Sequence, residues 1–204
     1  MEVNCMEEKI LAAAKELFMQ YGFDRVSTTQ IAKKAGCNQA LVHYYYRTKP
    51  KLFQKVLGME LQIMFEQLLD IPKGKETLEE KVERIIDIHF SFLEANPDFP
   101  LFIFGEMRDN TEAFIIFREE IKSYAGKFMS DLQMVIDQQE KECGVRMINA
   151  FDLIFNILSL NIFVFLFKPF VGTIWELEED RTKEIMAERK RNIKEIVISS
   201  LRIA

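Results

Sequence analysis

Hydrogen-bonding and charged side chains are concentrated in one short stretch, AGCNQALVHYYYRTK, at residues 35–49. Gln39 can form a pair of hydrogen bonds to a base edge, and Ala40 and Leu41 can offer apolar contact to a thymine methyl group. Basic residues suited to neighbouring phosphates accompany them, namely Arg47, Lys49, Lys51 and Lys55. The residue types therefore suit recognition of a nucleic acid.

Two short helices are predicted to position these side chains, one over residues 28–35 and the other over residues 39–46. Ser27 and Gln30 have the spacing of a capping box, in which each side chain satisfies a backbone N–H near the other residue. Gly36 follows the first helix and can adopt the positive φ that a sharp turn needs. This spacing indicates a helix-turn-helix, whose second helix enters the major groove of DNA.

The helix over residues 28–35 begins with the hydroxyl groups of Thr28 and Thr29. Together with the backbone N–H groups of this first turn, they suit contact with another phosphate. Core packing is the alternative for the aromatic residues, and Tyr45 and Tyr46 fall on the side predicted to face inward. For His43 and Tyr44 we favour a contact with DNA. The candidate DNA-binding residues are Thr28, Thr29, Gln39, Ala40, Leu41, His43, Tyr44, Arg47 and Lys49.

The net charge of −5 conceals an asymmetry between the two ends of the chain. Residues 1–55 contain nine Lys or Arg against five Asp or Glu, whereas the remaining residues contain 18 against 27. A basic N-terminal region is therefore the candidate for binding a polyanion. A chance difference between solvated faces remains the alternative on charge alone.

Composition and periodicity predict an all-α protein. Glycine and proline are scarce, at eight and five residues, and apolar residues recur at spacings of three and four without sustained alternation. The three cysteines are far apart and odd in number, so we expect reduced thiols in a cytoplasmic protein rather than a disulfide framework. The first residues lack a basic region followed by an apolar run, so no signal peptide is expected.

The N-terminal residues resemble the TetR family of bacterial transcriptional regulators. That family's pattern has an amphipathic helix, Ile-Ala and Ala-Gly anchors, a short recognition helix ending in aromatics, then a lysine and a Leu-Phe pair. The pattern appears here as IAKKAGCNQALVHYYYRTKPKLF, and the similarity covers roughly residues 8–55. The resemblance implies a three-helix DNA-binding module followed by a larger helical ligand-binding and dimerisation domain.

Several positions depart from the family's pattern. The usual Ser at the recognition-helix cap is Asn38, a chemically equivalent cap, and the Gly two positions later is Ala40. A common phosphate-contacting Tyr is replaced by His43, which keeps a hydrogen-bond donor but changes its reach. The final Phe is Tyr46, and Lys49 matches the family's lysine at the start of the next helix.

We expect residues 1–48 to form the helix-turn-helix domain and residues 49–204 to form the ligand-binding and dimerisation domain. A helix from about Lys49 to Asp70 would connect them, and in the family a shift of this helix separates the two recognition helices. Plain core packing is the alternative for each candidate ligand-binding residue, including His89. These candidates are His89, Phe99, Phe102, Phe104, Phe114, Phe117, Phe128, Asn156 and Ser159.

Residues 148–167 are mostly apolar and long enough to span a bilayer. Asn149, Asp152 and Asn156 recur at helical spacing and give the helix a polar stripe, which argues against a membrane span. Burial between its own domain and a second subunit explains this helix better. A final helix is expected near residues 183–202, after Lys168, Pro169 and Gly172.

The last two helices of each subunit form a four-helix dimer interface in the family. The candidate interface residues are Phe155, Phe163, Ile185, Ile193, Ile196, Val197 and Leu201. Two recognition helices on a twofold axis would read a palindrome. We therefore predict a homodimeric repressor that binds an operator and responds to a small apolar or aromatic effector.

Other classes of function are less well supported. The chain has two histidines, far apart, with no phosphate-binding glycine loop and no nucleophile motif, so an enzyme is not expected. No metal-ligand spacing is present, and we expect neither a metal nor a cofactor. An architectural DNA binder whose second domain meets a protein is the main alternative, and a protein scaffold without nucleic acid is a weaker one.

Overall fold

The computed structural model describes residues 2–109, 111–174, 176 and 178–202, and these residues form nine α-helices, one short 3₁₀ turn and no β-strand. The all-α prediction is confirmed. The helices are α1 Glu2–Tyr21, α2 Thr28–Ala35, α3 Gln39–Tyr46, α4 Lys49–Asp70, α5 Leu78–Ala95, α6 Phe99–Asp109, α7 Glu112–Cys143, α8 Ala150–Ile174 and α9 Glu179–Ser199, with the 3₁₀ turn at Ile71–Lys73.

The chain forms two compact units that differ from the predicted division after residue 48. The first unit contains residues 1–63 and 101–123, and the second contains residues 64–100 and 124–204. The first turns of α4 fall in the first unit and carry apolar side chains of its core. Leu52 and Phe53, for example, are completely buried.

A cluster of phenylalanine rings forms the centre of the first unit. The Phe53 ring centroid lies 5.2 Å from that of Phe18 and 5.0 Å from that of Phe23. Phe102 of α6 adds a fourth ring, 5.8 Å from Phe53. Aromatic rings at these distances bury large apolar areas, so the cluster ties α1, α4 and α6 into one core.

The turn after α1 is held by polar groups on both sides of Phe23. The Phe23 N–H donates to Oε1 of Glu106 at 2.9 Å, and this carboxylate is buried and also accepts from the Thr111 hydroxyl. The Phe23 carbonyl accepts from the Lys49 ammonium at 3.1 Å. The position where the helix-turn-helix begins is thereby fixed by α4 and α6.

The second unit is built on α5, α8 and α9, which pack against one another. Phe90 of α5 meets Phe165 of α8 edge-on, with centroids 5.0 Å apart. Lys194 of α9 pairs with Asp87 of α5 at 2.8 Å. These contacts orient the buried face of α8 and leave its opposite face uncovered.

Helix α8 continues through Pro169 to Ile174. A proline inside a helix removes one backbone hydrogen bond and crowds the preceding turn. Phe165, in the preceding turn, is buried. Helix α9 also begins earlier than expected, at Glu179.

Candidate nucleic-acid interface

The turn between α2 and α3 has the local structure that the sequence predicts. The Ser27 hydroxyl accepts from the Gln30 N–H, and the Gln30 side chain accepts from the Ser27 N–H, which completes the capping box. Gly36 ends α2 with φ +72°, a conformation that favours glycine. Asn38 Oδ1 accepts from the Leu41 N–H at 2.9 Å and caps α3.

Helix α3 turns its polar side chains outward. Tyr44 is 75% exposed, whereas Tyr46 is 7% exposed and donates its hydroxyl to Glu7 at 3.3 Å. Burial and the nearby Glu7 carboxylate raise the pKa of Tyr46 well above its usual range. Thr29, Gln39, Ala40, His43 and Arg47 are also exposed, while Thr28, Leu41 and Tyr45 are partly buried.

Three polar side chains on this face are joined by hydrogen bonds. Gln39 Nε2 donates to the Thr28 hydroxyl at 2.9 Å and lies 3.3 Å from His43 Nε2. His43 Nδ1 lies 3.1 Å from the backbone carbonyl oxygen of Arg47. The side chains that could meet a base edge are therefore connected to α2 and to the end of α3.

The backbone at Arg47 adopts a conformation that is strained for a residue with a side chain. Its φ is +60° and its ψ is −47°, and the Thr48 N–H donates to the Tyr46 carbonyl at 2.6 Å. This is the rare γ-turn with positive φ at its centre. Such strain occurs preferentially at functional sites. Here it brings the Arg47 carbonyl within reach of the His43 ring.

Lys49 has a role that the sequence analysis did not predict. In addition to its bond to Phe23, its ammonium lies 4.2 Å from the centroid of the Phe23 ring. Lys49 is thus a partly buried residue that positions the turn before the helix-turn-helix. Its neighbour Lys51 is exposed. The sequence also missed Glu106, since its partner Phe23 lies 83 positions earlier and no local pattern marks the pair.

The predicted ligand-binding residues are distributed over both units. In the first unit Phe102 is buried, Phe104 is exposed, and Phe114 and Phe117 are partly buried. In the second unit Phe99 and Phe128 are buried, and Ser159 is exposed with its hydroxyl donating to the Asn156 carbonyl.

His89 is a core residue of the second unit. Asn161 Nδ2 lies 3.1 Å from His89 Nδ1 and 3.4 Å from the Ile86 carbonyl oxygen, so the ring is held by its neighbours. Burial lowers the pKa of His89 to about 4, which keeps the ring neutral at physiological pH. His89 is therefore part of the buried core of the second unit, and its contact with a ligand stays a prediction.

Two surface clefts lie within the second unit. One has a volume of about 360 Å³ and is lined by Pro97, Asp98, Phe165, Lys168, Pro169, Thr173 and Thr182. The other has a volume of about 350 Å³ and is lined by Gln67, Asp70, Arg84, Asp87 and Ile88. None of the predicted ligand-binding residues lines either cleft, so these predictions are not supported by the clefts.

The predicted dimer residues fall into two groups. Phe155 and Phe163 are 63% and 58% exposed on α8, and Ile196 is exposed on α9. Ile185 is partly buried. By contrast, Ile193, Val197 and Leu201 are at most 1% exposed, so they pack inside the protomer and are not available to a second subunit. Their place is explained by the packing of α9 against α5 and α8.

The uncovered face of α8 carries an aromatic stripe, which we define as Phe151, Phe155, Phe163, Phe167 and Phe170. Neighbouring rings stack along the helix, with centroids 6.1 Å apart for the first pair and 5.2 and 5.5 Å apart for the last three. Residues 150–171 are long and apolar enough to cross a membrane by length and composition, and 28% of their most apolar window is buried. One such helix is weak evidence for a membrane span.

Residues 10–56 match the family described as bacterial regulatory proteins, tetR family. The chain is 21% identical over 156 residues to the nucleoid occlusion factor SlmA of Aliivibrio fischeri, covering 76% of each protein. It is 28% identical over 153 residues to the HTH-type transcriptional repressor SCO4008 of Streptomyces coelicolor, covering 74% of each. The fold resembles that of the transcriptional regulator FadR from Bacillus subtilis in complex with stearoyl-CoA, with a TM-score of 0.67, 17% identity, and coverage of 95% of this chain and 98% of that one.

The helix-turn-helix geometry and the matched segment define a DNA-binding transcriptional regulator. The match to the tetR family covers the helix-turn-helix module, and the likeness of the whole chain to FadR is one of fold.

Proposed function

We propose that this protein is a cytoplasmic transcriptional repressor that binds a palindromic operator as a homodimer and is released by a small apolar or amphipathic effector. The observation that carries the proposal is the outward face of α3, where Gln39, His43 and Tyr44 are exposed beside the first turn of α2. A helix presented in this way can enter the major groove while hydroxyl and basic side chains contact phosphates.

The exposed aromatic stripe on α8 supports a homodimer. An apolar face of this kind is unfavourable in water, and burying it against the same face of a second copy would remove it from solvent. Such an isologous contact places the two protomers about a twofold axis. The two α3 helices would then meet matching half-sites of a palindrome.

The effector proposal is supported by the similarity to FadR, whose structure contains stearoyl-CoA. In this chain α4 runs unbroken from Lys49 to Asp70 and contributes residues to both compact units. An effector would act by binding more tightly to a geometry in which the two α3 helices are wrongly spaced for the operator. Helix α4 is the element we propose to carry this change.

The test begins with selection of bound sequences from a pool of random DNA duplexes. We expect a palindromic sequence to be enriched and its affinity to fall steeply as salt is raised. The Gln39→Ala variant should lose about 1–3 kcal/mol of binding free energy and its preference at one position of each half-site. Val42→Ala, a buried change in the same helix, is the control for altered folding. Absence of an enriched sequence would contradict the proposal.

A second candidate is an architectural DNA binder whose second unit meets a protein, and the exposed aromatic stripe on α8 favours it because an exposed apolar face can bind a protein. The two candidates differ in what changes operator affinity. Fatty acyl-CoA compounds of different chain lengths should weaken binding to the selected duplex if the first candidate is correct. If no such compound alters that affinity, the second candidate becomes the better explanation.

A further inference from the structure

The orientation of the Gln39 amide follows from one hydrogen bond whose direction is unambiguous. A backbone carbonyl can only accept, so the His43 Nδ1 atom that lies 3.1 Å from the Arg47 oxygen must carry a hydrogen. At a pH where the imidazole is neutral it has a single N–H, and its other nitrogen is then an acceptor. His43 Nε2 must consequently face a donor.

That donor is the amide nitrogen of Gln39, at 3.3 Å. The same nitrogen donates to the Thr28 hydroxyl oxygen at 2.9 Å. A primary amide has two N–H hydrogens, so both are used within the protein. Within the part of the chain that the structure describes, Oε1 of Gln39 has no hydrogen-bond partner and lies on an exposed residue.

The strained turn at Arg47 supports this arrangement. Its positive φ brings the residue's carbonyl oxygen back toward the preceding turn of α3, where the His43 ring lies. The hydrogen-bonded chain therefore starts from a fixed backbone atom and ends on the hydroxyl of Thr28 in α2. Neither hydrogen of the Gln39 amide can turn toward DNA without breaking its hydrogen bond to His43 or to Thr28.

We propose that Gln39 recognises its base only as a hydrogen-bond acceptor, with His43 and Thr28 as the residues that set this specificity. In the major groove an acceptor can meet the N6 amine of adenine or the N4 amine of cytosine. A glutamine with a free N–H would instead form two bonds to adenine, one of them to N7. The position contacted by Gln39 should therefore accept adenine or cytosine on one strand.

This inference rests on the proposed function, since it requires α3 to lie in the major groove. The probe is the duplex selected by the wild-type protein, with adenine placed at the position whose preference disappears in Gln39→Ala. Two further duplexes carry 7-deazaadenine, which lacks N7, or unsubstituted purine, which lacks the N6 amine. Affinities are measured for all three, and for a duplex with cytosine at the same position.

For the wild-type protein we expect 7-deazaadenine to bind as adenine does, within about twofold, and purine to bind about fivefold more weakly. Adenine and cytosine should be accepted within about threefold of each other. The His43→Leu variant releases one amide hydrogen, so adenine should become preferred and 7-deazaadenine should bind about fivefold more weakly. Thr28→Val should have the same effect through the other amide hydrogen.

Thr29→Val is the matched control, because it removes a candidate phosphate-contacting hydroxyl from the same turn and should weaken binding to all of the duplexes alike. Its ratio of adenine to 7-deazaadenine affinity should equal that of the wild type. The inference is overturned if 7-deazaadenine weakens wild-type binding as strongly as purine does, or if His43→Leu leaves the ratio unchanged. If no base preference depends on Gln39 at all, the proposed function of α3 fails first, and the two failures are thereby distinguished.

Discussion

Two exposed faces of this protein, on α3 and on α8, differ in polarity and in how their side chains are held. The α3 face is polar, and its side chains are joined by hydrogen bonds that hold them in place before any partner arrives. The α8 face is apolar, and its phenylalanine rings stack along the helix without being covered. A surface that must discriminate among partners benefits from fixed donors and acceptors, whereas one that must bind tightly needs only area and shape.

Of the changes described below, disrupting the α8 face should have the largest effect, because it should abolish the dimer that binds the palindrome. The double variant Phe155→Glu and Phe163→Glu places charges on the aromatic stripe, so a homodimer should dissociate and affinity for the selected palindrome should fall by more than about 100-fold. Analytical ultracentrifugation measures the association.

Met134→Glu provides the control for this double variant. Met134 is exposed on α7 in the same unit, so a charge there should leave the dimer intact. A double variant that remained dimeric would show that the stripe is not the interface.

The buried His89 should make the stability of the fold depend on pH. Burial lowers the pKa of His89 to about 4, whereas an unfolded histidine titrates near 6.5. As pH falls through this window the unfolded chain takes up the proton first, so the free energy of unfolding should decrease by about 3 kcal/mol. Above about pH 6.5 this contribution is fully present.

Denaturation by urea at pH values from 4 to 8 measures this effect. His89→Asn keeps an acceptor for Asn161 and should lose the histidine component of the pH dependence. His43→Asn changes the exposed histidine of α3 and should retain it. Equal pH profiles for the wild type and His89→Asn would contradict the assignment of a buried neutral ring.

Substitutions of Lys49 and Lys51 should have different effects, because Lys49 positions the turn at Phe23 whereas Lys51 is expected to contact a phosphate. Lys49→Ala removes the bond to the Phe23 carbonyl and the contact with its ring, so unfolding free energy should fall by about 1–2 kcal/mol. Lys51→Ala should leave stability unchanged and reduce the slope of log affinity against log salt by about one. Thermal denaturation and a salt series measure the two effects, and identical behaviour of the two variants would show that no such division exists.

The smallest predicted effect concerns the strain at Arg47. Arg47→Gly relieves the positive φ and should stabilise the fold by about 1 kcal/mol, while operator affinity decreases because a cationic side chain is lost. Arg47→Ala loses the same charge but keeps the strain, and it is the matched control. If glycine were no more stable than alanine at this position, the turn would not be strained in solution.

The helix-turn-helix could be predicted closely because its determinants are local. Ser27, Gln30, Gly36 and Asn38 act on backbone groups within a few residues of themselves, so their types and spacing specify the caps and the turn. The bounds of α2, α3 and α4 matched the expectation for the same reason. Exposure of α3 also followed from its polar pattern.

Other features depended on residues that are distant in sequence. The bond between Glu106 and Phe23 joins positions 83 residues apart, and that between Asn161 and His89 joins positions 72 apart. Helical periodicity placed Ile193 and Val197 on the apolar face of the last helix. It could not tell whether that face meets a second subunit or, as the structure shows, packs with α5 and α8 of the same chain. The sequence therefore determined which residues could recognise DNA, while the tertiary structure decided how the Gln39 amide points, because that orientation requires Thr28, His43 and the Arg47 carbonyl to be close together at once.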